Sequence, residues 1–277
     1  MPSRPPSALH RDARLLASRE ETPGYLELEM ECPDIAGAAQ PGQFLMLRAW
    51  PGSDPYLPRP FDILTADPAR GRLELFLKVE GRGTELLRAL APGATLRLTG
   101  PLGRPILLEE PGLSSVALLV RGAGAAAVVH LAEQAAGRGL AVYAILSAST
   151  AARIVCRRHL EGPCRELLVA TDDGSEGYAG PAGDLLDRLL DRQRAAGRPE
   201  DHPQVDRVYT CGSRRFARHV QDLDRRGLAR GFVFLEGLMA CGLGDCHGCA
   251  VPRADGQGYH LVCRDGPHFP AAEVKLP

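Results

Sequence analysis

Four of the chain's eight cysteines gather towards its carboxyl-terminal end, and their spacing constrains the fold more than any other feature. Cys241, Cys246 and Cys249 read C-x4-C-x2-C, and Cys263 follows after thirteen intervening residues. Four thiolates in this order match the plant-type arrangement that holds two irons bridged by sulfides. Such a loop has to wrap its cluster closely enough for backbone N–H groups to face the sulfurs. Gly242, Gly244 and Gly248 permit that approach, since glycine has no side chain and tolerates positive φ. A structural zinc site is the competing reading, but it typically draws its cysteines as two close pairs, whereas here three share a loop and the fourth comes alone. His247 lies inside the loop, yet a Rieske centre needs two histidines and the cysteines already complete the set, so an exposed or supporting histidine is expected. Cys32, Cys156, Cys164 and Cys211 stand in separate segments with no ligand-like spacing and read as buried or incidental thiols.

A disulfide framework is a poor alternative. The sequence opens Met1-Pro2-Ser3-Arg4-Pro5-Pro6 without the apolar run of a signal peptide, and disulfides are rare in a reducing compartment. No segment approaches a membrane span, so a cytoplasmic protein with no membrane partner is expected. A formal net charge of −1 and a pI near 6.7 argue against nucleic acid, which calls for clustered basic residues. The length of 277 residues suits two domains and a small appendage.

Residues 24–100 carry short β-rich runs broken by Pro and Gly: 25–30, 43–48, 61–65, 72–79 and 95–99. Their period of two and their spacing predict a small antiparallel barrel. One helix is expected over 85–90, after the turn Gly81-Arg82-Gly83-Thr84, with Thr84 as its N-cap. After Pro111-Gly112 the texture changes. Apolar strands at 116–120, 141–146, 167–170 and 205–211 alternate with helices at 126–136, 183–195 and 214–226, which predicts a parallel sheet of βα units. From Phe232 onward Gly, Cys and Pro dominate, and no internal repeat is present. The fold class expected is α+β multidomain: an antiparallel barrel over 1–110, an α/β nucleotide-binding-like domain over 111–230 and a small cluster module over 231–277.

Two weaker signals lie in the barrel half. Gly83-Thr84 at a helix start offers backbone N–H groups to a diphosphate, although such a pair is usually only a cap. Arg59-Pro60 before a strand is usually only a rim. Taken with the cysteine loop, these pieces resemble the electron-transfer subunits of two-subunit, NAD-dependent dihydroorotate dehydrogenases, within the ferredoxin reductase-like flavoproteins. The resemblance spans nearly the whole chain. It rests on Pro41-Gly42-Gln43-Phe44, Arg59-Pro60-Phe61-Asp62, Gly81-Arg82-Gly83-Thr84, Gly100-Pro101-Leu102-Gly103, Thr171-Asp172-Asp173-Gly174-Ser175, Cys211-Gly212, the cluster loop and Cys263-Arg264-Asp265-Gly266-Pro267. The cluster loop and the stretch from Cys263 are the specific pieces.

The resemblance implies FAD on the barrel, bound by Arg59 near its phosphates, by Pro60, by Phe61 and Asp62 near its ring, by Phe76, Leu77 and Lys78 along it, and by Gly83 and Thr84 at the diphosphate. It implies a [2Fe–2S] cluster on Cys241, Cys246, Cys249 and Cys263, and NAD as a diffusible donor or acceptor. It also implies an FMN-containing catalytic subunit, a heterotetramer, and a role in pyrimidine biosynthesis. No residue of this chain is expected to do acid or base chemistry on a substrate. Leu243, Asp245 and His247 are expected at the partner interface.

Two departures stand out. The family has Ser or Thr where this chain has Asp62, a carboxylate that would lower the flavin potential while ionised. After the first strand of the second half, the family's three glycines and Gly-x-x-Pro become Arg121-Gly122-Ala123-Gly124-Ala125-Ala126-Ala127. Added methyl groups narrow a pyrophosphate's approach to the backbone, so a plain sheet-to-helix turn competes with dinucleotide binding there. Two other functions keep the same cluster loop. One couples these modules to a different partner, as in sulfhydrogenases or ferredoxin:NAD(P) oxidoreductases; the other is a non-catalytic regulatory subunit.

Overall fold

The alternating runs of the first hundred residues close into a six-stranded antiparallel barrel in this computed structural model, which describes residues 8–195 and 204–276. Residues 1–7, at the head of the expected barrel domain, lie outside the described residues. The strands are β1 (Leu9–Thr22), β2 (Tyr25–Glu31), β3 (Phe44–Arg48), β4 (Arg59–Asp67), β5 (Arg72–Lys78) and β6 (Thr95–Leu102), in barrel order β1-β2-β5-β4-β3-β6. Leu26, Leu28, Met30, Leu73, Leu75 and Leu77 point inward with Leu96 and Leu98 and make the core, as a period of two requires. The long first strand is absent from the sequence-based expectation. Only Ala13 and Leu15 of its fourteen residues are fully buried, so its hydrophobic pattern is faint, and pairing with both β2 and β6 is what makes it a strand. The helix α1 (Pro33–Ala38) was equally silent, and the helix expected over 85–90 starts earlier, as α2 (Arg82–Arg88).

Thr84 is not the N-cap of α2. Gly81 occupies that position, and Thr84 sits three residues later, its hydroxyl accepting from the Gly81 N–H at 3.1 Å and the Glu80 N–H at 3.0 Å. The Gly81 carbonyl accepts in turn from the same hydroxyl at 2.9 Å. A threonine reaching back in this way satisfies N–H groups at the helix entry that would otherwise be left to water.

The second unit is a seven-stranded sheet in the order β10-β9-β8-β7-β11-β12-β15. Its strands are β7 (Ser115–Arg121), β8 (Ala141–Ala148), β9 (Glu166–Thr171), β10 (Tyr178–Ala179), β11 (Arg207–Cys211) and β12 (Arg230–Phe234), all parallel, with β15 (His268–Pro270) added antiparallel at the edge. Helices α3 (Ala126–Gly137), α4 (Arg157–Glu161), α5 (Ala182–Ala195) and α6 (Arg214–Arg225) connect them. α6 buries Phe216, Ala217, Val220 and Leu223, one face at helical spacing. The core strands Val116–Val120 and Val142–Leu146 are buried on both faces, which explains their unbroken apolar runs.

Contacts divide the carboxyl-terminal stretch. Residues 235–251 and 259–267 belong with the barrel, and 252–258 and 268–276 with the sheet. The former holds the cysteine loop, a short ribbon of β13 (Ala250–Pro252) and β14 (Tyr259–Leu261), and α7 (Val262–Asp265).

Candidate cofactor sites

In the cysteine loop, Cys249 and Cys263 are buried with their sulfurs 3.3 Å apart, Cys241 is half-buried and Cys246 is exposed. None is in a disulfide. The loop between Cys241 and Cys246 curls through two left-handed glycines, Gly242 (φ 72) and Gly244 (φ 92). A Cβ on Gly242 would lie 2.6 Å from Met46 Cγ and 3.1 Å from Leu102 Cδ1, so the loop is pressed onto the barrel. The Leu243 N–H donates to Cys241 Sγ at 3.3 Å and the Cys263 N–H to Cys249 Sγ at 3.5 Å. Burial acts to raise the Cys241 thiol, but hydrogen bonds from Cys246, Leu243 and Asp245 outweigh it and bring the group to about 6. Cys263 goes the other way, pushed up to about 12 by burial and by Cys249 beside it. Sulfur-only donors with N–H groups aimed at them suit an iron–sulfur cluster. His247 is exposed with φ 58.

Around the loop, segments far apart in sequence meet. Gln43 Nε2 donates to the Gly103 carbonyl at 3.1 Å, the Arg104 N–H donates to the Gly266 carbonyl at 2.6 Å, and a Cβ on Gly103 would sit 2.6 Å from that carbonyl. Three of the motifs quoted above, at 41–44, 100–103 and 263–267, therefore build one corner beneath the cysteines.

On the barrel, Arg59 opens β4 and Pro60, Phe61 and Asp62 follow, opposite Leu47, Met46, Leu45 and Phe44 of β3. The Arg59 guanidinium lies 5.9 Å over Trp50 and donates to the Leu57 carbonyl at 2.6 Å. Its side chain runs across Gly83, where a Cβ would come within 3.1 Å of Nε, so the arginine packs tightly over the glycine beside Thr84. This juxtaposed guanidinium and glycine turn fit a diphosphate. Phe61 packs against the barrel core, so Asp62, its neighbour along the strand, projects to the opposite face. In β5, Leu77 belongs to the core and offers a cofactor only its backbone. Phe76 lies on the outer side stacked on Tyr25, with centroids 5.7 Å apart, and Lys78 pairs with Glu80. Burial pushes the Asp62 carboxyl up to about 7, helped by the negative charge of Glu236. Glu236 was not singled out in the sequence, because nothing local to residue 236 points to β4.

In the parallel-sheet unit, Arg121, Gly122 and Gly124 follow β7. Gly124 packs so tightly on the turn after β11 that a Cβ would lie 2.6 Å from Gly212 N. A Cβ on Gly212 (φ 88) would lie 2.1 Å from the Arg121 carbonyl oxygen. The two glycines are thus required by backbone packing, whatever else they serve.

A flavin-type barrel, a parallel-sheet unit and a four-cysteine loop define an iron–sulfur member of the ferredoxin reductase-like flavoproteins. The family model for the iron-sulfur cluster binding domain of dihydroorotate dehydrogenase B matches residues 236–275, and the oxidoreductase FAD-binding domain matches 24–105. The electron transfer subunit of dihydroorotate dehydrogenase B (NAD(+)) from Desulforamulus reducens is 35% identical over 95% of this chain and 97% of its own length. Its counterpart from Bacillus caldolyticus is 34% identical over 95% of each. Among solved structures, one of an NADH-dependent reduced ferredoxin-NADP oxidoreductase superposes with a TM-score of 0.81 at 25% identity, over 95% of this chain and 89% of that one. The chain belongs to the dihydroorotate dehydrogenase B electron-transfer subunit family. Among the described residues no helix is long and apolar enough to cross a membrane.

Proposed function

We propose that this chain relays electrons between an FMN-containing, dihydroorotate-oxidising catalytic subunit and NAD, as part of a heterotetramer working in pyrimidine biosynthesis. The observation that carries this reading is the cysteine loop seated on the barrel that matches the FAD-binding model, with Gly242 against Met46 and Leu102. Cys241, Cys246, Cys249 and Cys263 hold the [2Fe–2S] cluster. Arg59, Gly83 and Thr84 hold the FAD diphosphate, while Pro60, Asp62, Phe76 and Lys78 line the rest of the cofactor, to which Phe61 and Leu77, turned to the core, offer their backbone. A bound flavin supplies the conversion between one-electron transfer with the cluster and two-electron hydride exchange with NAD. The chain's own residues bind, orient and set the local charge.

Asp62 makes that charge depend on pH. Its carboxyl, raised to about 7, is neutral below pH 6 and negative above pH 8. A negative charge disfavours electron addition nearby, so Asp62→Ser raises the flavin midpoint potential at pH 8.5 and leaves it unchanged at pH 5.5. Potentiometric titration of both proteins at the two pH values checks this; an equal difference at both would mean that Asp62 does not titrate in this range.

Leu243, Asp245 and His247 are exposed around the cysteines, as is Leu238 at 89%, and this supports docking of the partner there. Co-purification with an FMN-binding barrel subunit tests the reading: dihydroorotate should bleach this chain's chromophores only in the complex, and Asp245→Arg should weaken association. Intact association in that variant would move the interface elsewhere, and bleaching that never depends on the partner would end the dihydroorotate assignment. A second reading, the same modules serving a ferredoxin-linked partner, draws on the likeness to the oxidoreductase structure.

A further inference from the structure

We infer that Arg121 is the phosphate-binding group of the dinucleotide crevice, held ready by Ser147 and Asp172. This rests on the reading that the chain exchanges electrons with NAD. Chain order runs outward from β7 through β8 to β9 on one side and from β11 to β12 on the other. The carboxyl ends of β7 and β11 therefore flank the point where the order reverses, which is where open parallel sheets bind ligands.

At that point the usual means of holding a diphosphate is closed. Backbone N–H groups receive phosphates where glycines leave space, but here that space is filled by backbone: a Cβ on Gly124 would lie 2.6 Å from Gly212 N, and one on Gly212 2.1 Å from the Arg121 carbonyl oxygen. Ala123 and Ala125–Ala127 add methyl groups around the same turn. Two phosphate charges then need a side-chain cation. Arg121 is the last residue of β7 and lies across the carboxyl edge of three adjacent strands. Its Nη1 donates to Ser147 Oγ at 2.9 Å and to Asp172 Oδ1 at 3.2 Å, and its Nη2 to Asp172 Oδ2 at 2.5 Å.

The fork that grips a carboxylate in this way also grips a phosphate. The pair is partly solvated, with side-chain exposures of 29% for Arg121 and 53% for Asp172, and an ion pair so exposed holds its partners weakly. A diphosphate competes with that single carboxylate for the guanidinium, and the half-exposed Asp172 has solvent to turn into when the phosphate binds. Other charged groups face the same edge. Asp173 is tied to Ser175, its carboxylate accepting from that residue's N–H at 3.0 Å, while Arg214 and Arg215 open α6 after Gly212 and are exposed.

Calorimetric titration of the FAD- and cluster-loaded chain with ADP-ribose, which has the diphosphate but cannot be reduced, tests the assignment. Arg121→Ala should weaken ADP-ribose roughly 10- to 100-fold, the range for a hydrogen bond to a charged group, and leave adenosine binding unchanged. Arg121→Lys should recover part of the loss. Asp172→Asn frees the guanidinium and should bind ADP-ribose as tightly as the parent or more so. A purely structural staple would make Asp172→Asn as damaging as Arg121→Ala, and that result overturns the assignment. So does parental affinity in Arg121→Ala, or a loss confined to Arg214→Ala or Arg215→Ala. A parent chain that binds no ADP-ribose overturns the NAD reading along with it.

Discussion

Replacing Cys249 by serine strips the chain of iron and sulfide and bleaches its cluster absorption. Cys249 is one of the two buried sulfurs, its neighbour Cys263 lies 3.3 Å away, and a Cβ on Gly237 would lie 3.0 Å from its Cβ, so its sulfur is held in a packed setting beside a second ligand. A hydroxyl is a poor ligand for iron that otherwise meets only thiolates, and binding energy lost from a metal site is folding energy lost from the loop around it. Cys156→Ser, at a buried thiol outside the loop, keeps its iron and loses at most some stability. Iron, acid-labile sulfide and zinc analysis of the three proteins measures this: two irons and two sulfides in the parent and the Cys156 variant, and near none in the Cys249 variant. One zinc in the parent would replace the iron–sulfur reading with a structural site.

Gly212→Ala should unfold or badly loosen the parallel-sheet unit. Two costs coincide at this position. The residue sits at φ 88, which an L side chain rarely adopts, and the added methyl would lie 2.1 Å from the Arg121 carbonyl oxygen, a backbone atom that cannot swing aside. Together these cost about 3 kcal/mol or more, or on the order of 6–12 °C in melting temperature for a unit of this size. Gly227→Ala is the control. Its φ of 64 carries the conformational cost alone, because nothing lies within 4 Å of a Cβ there, so a drop about half as large is expected. Thermal melts followed by far-ultraviolet circular dichroism, with flavin and iron content measured alongside, separate the two. Equal drops would show that the backbone at Gly212 yields. Iron and flavin should persist in both, since the residues assigned to them lie in the barrel unit.

The parts of this protein legible in its sequence are those whose signal is local. Ligand spacing from Cys241 to Cys263 is local, because a cluster loop must present its sulfurs within a short reach. The period of two in 72–79 and the apolar run at 116–120 are local as well, since burial on one face or both writes itself directly into residue type. β1 escaped notice because its neighbours β2 and β6, more than its own apolar residues, make it a strand. β15 escaped because three residues paired antiparallel to β12 carry no periodicity at all.

Three features were decided by the tertiary structure alone. Gly124 and Gly212 stand 88 positions apart, and only the fold shows that a side chain on Gly124 would strike the Gly212 backbone and one on Gly212 the Arg121 carbonyl. Asp62 stands out in sequence as an acid where the family has Ser or Thr, but only burial and Glu236, brought from across the chain, push its carboxyl up to about 7. Arg121 has no partner that the sequence marks; β8 and the turn after β9 set Ser147 and Asp172 beside it. The sequence by itself determined which atoms are available as ligands and which segments bury themselves. Distances between segments, and the charges and close contacts that follow from them, belong to the folded chain, because they arise between residues that no local pattern relates.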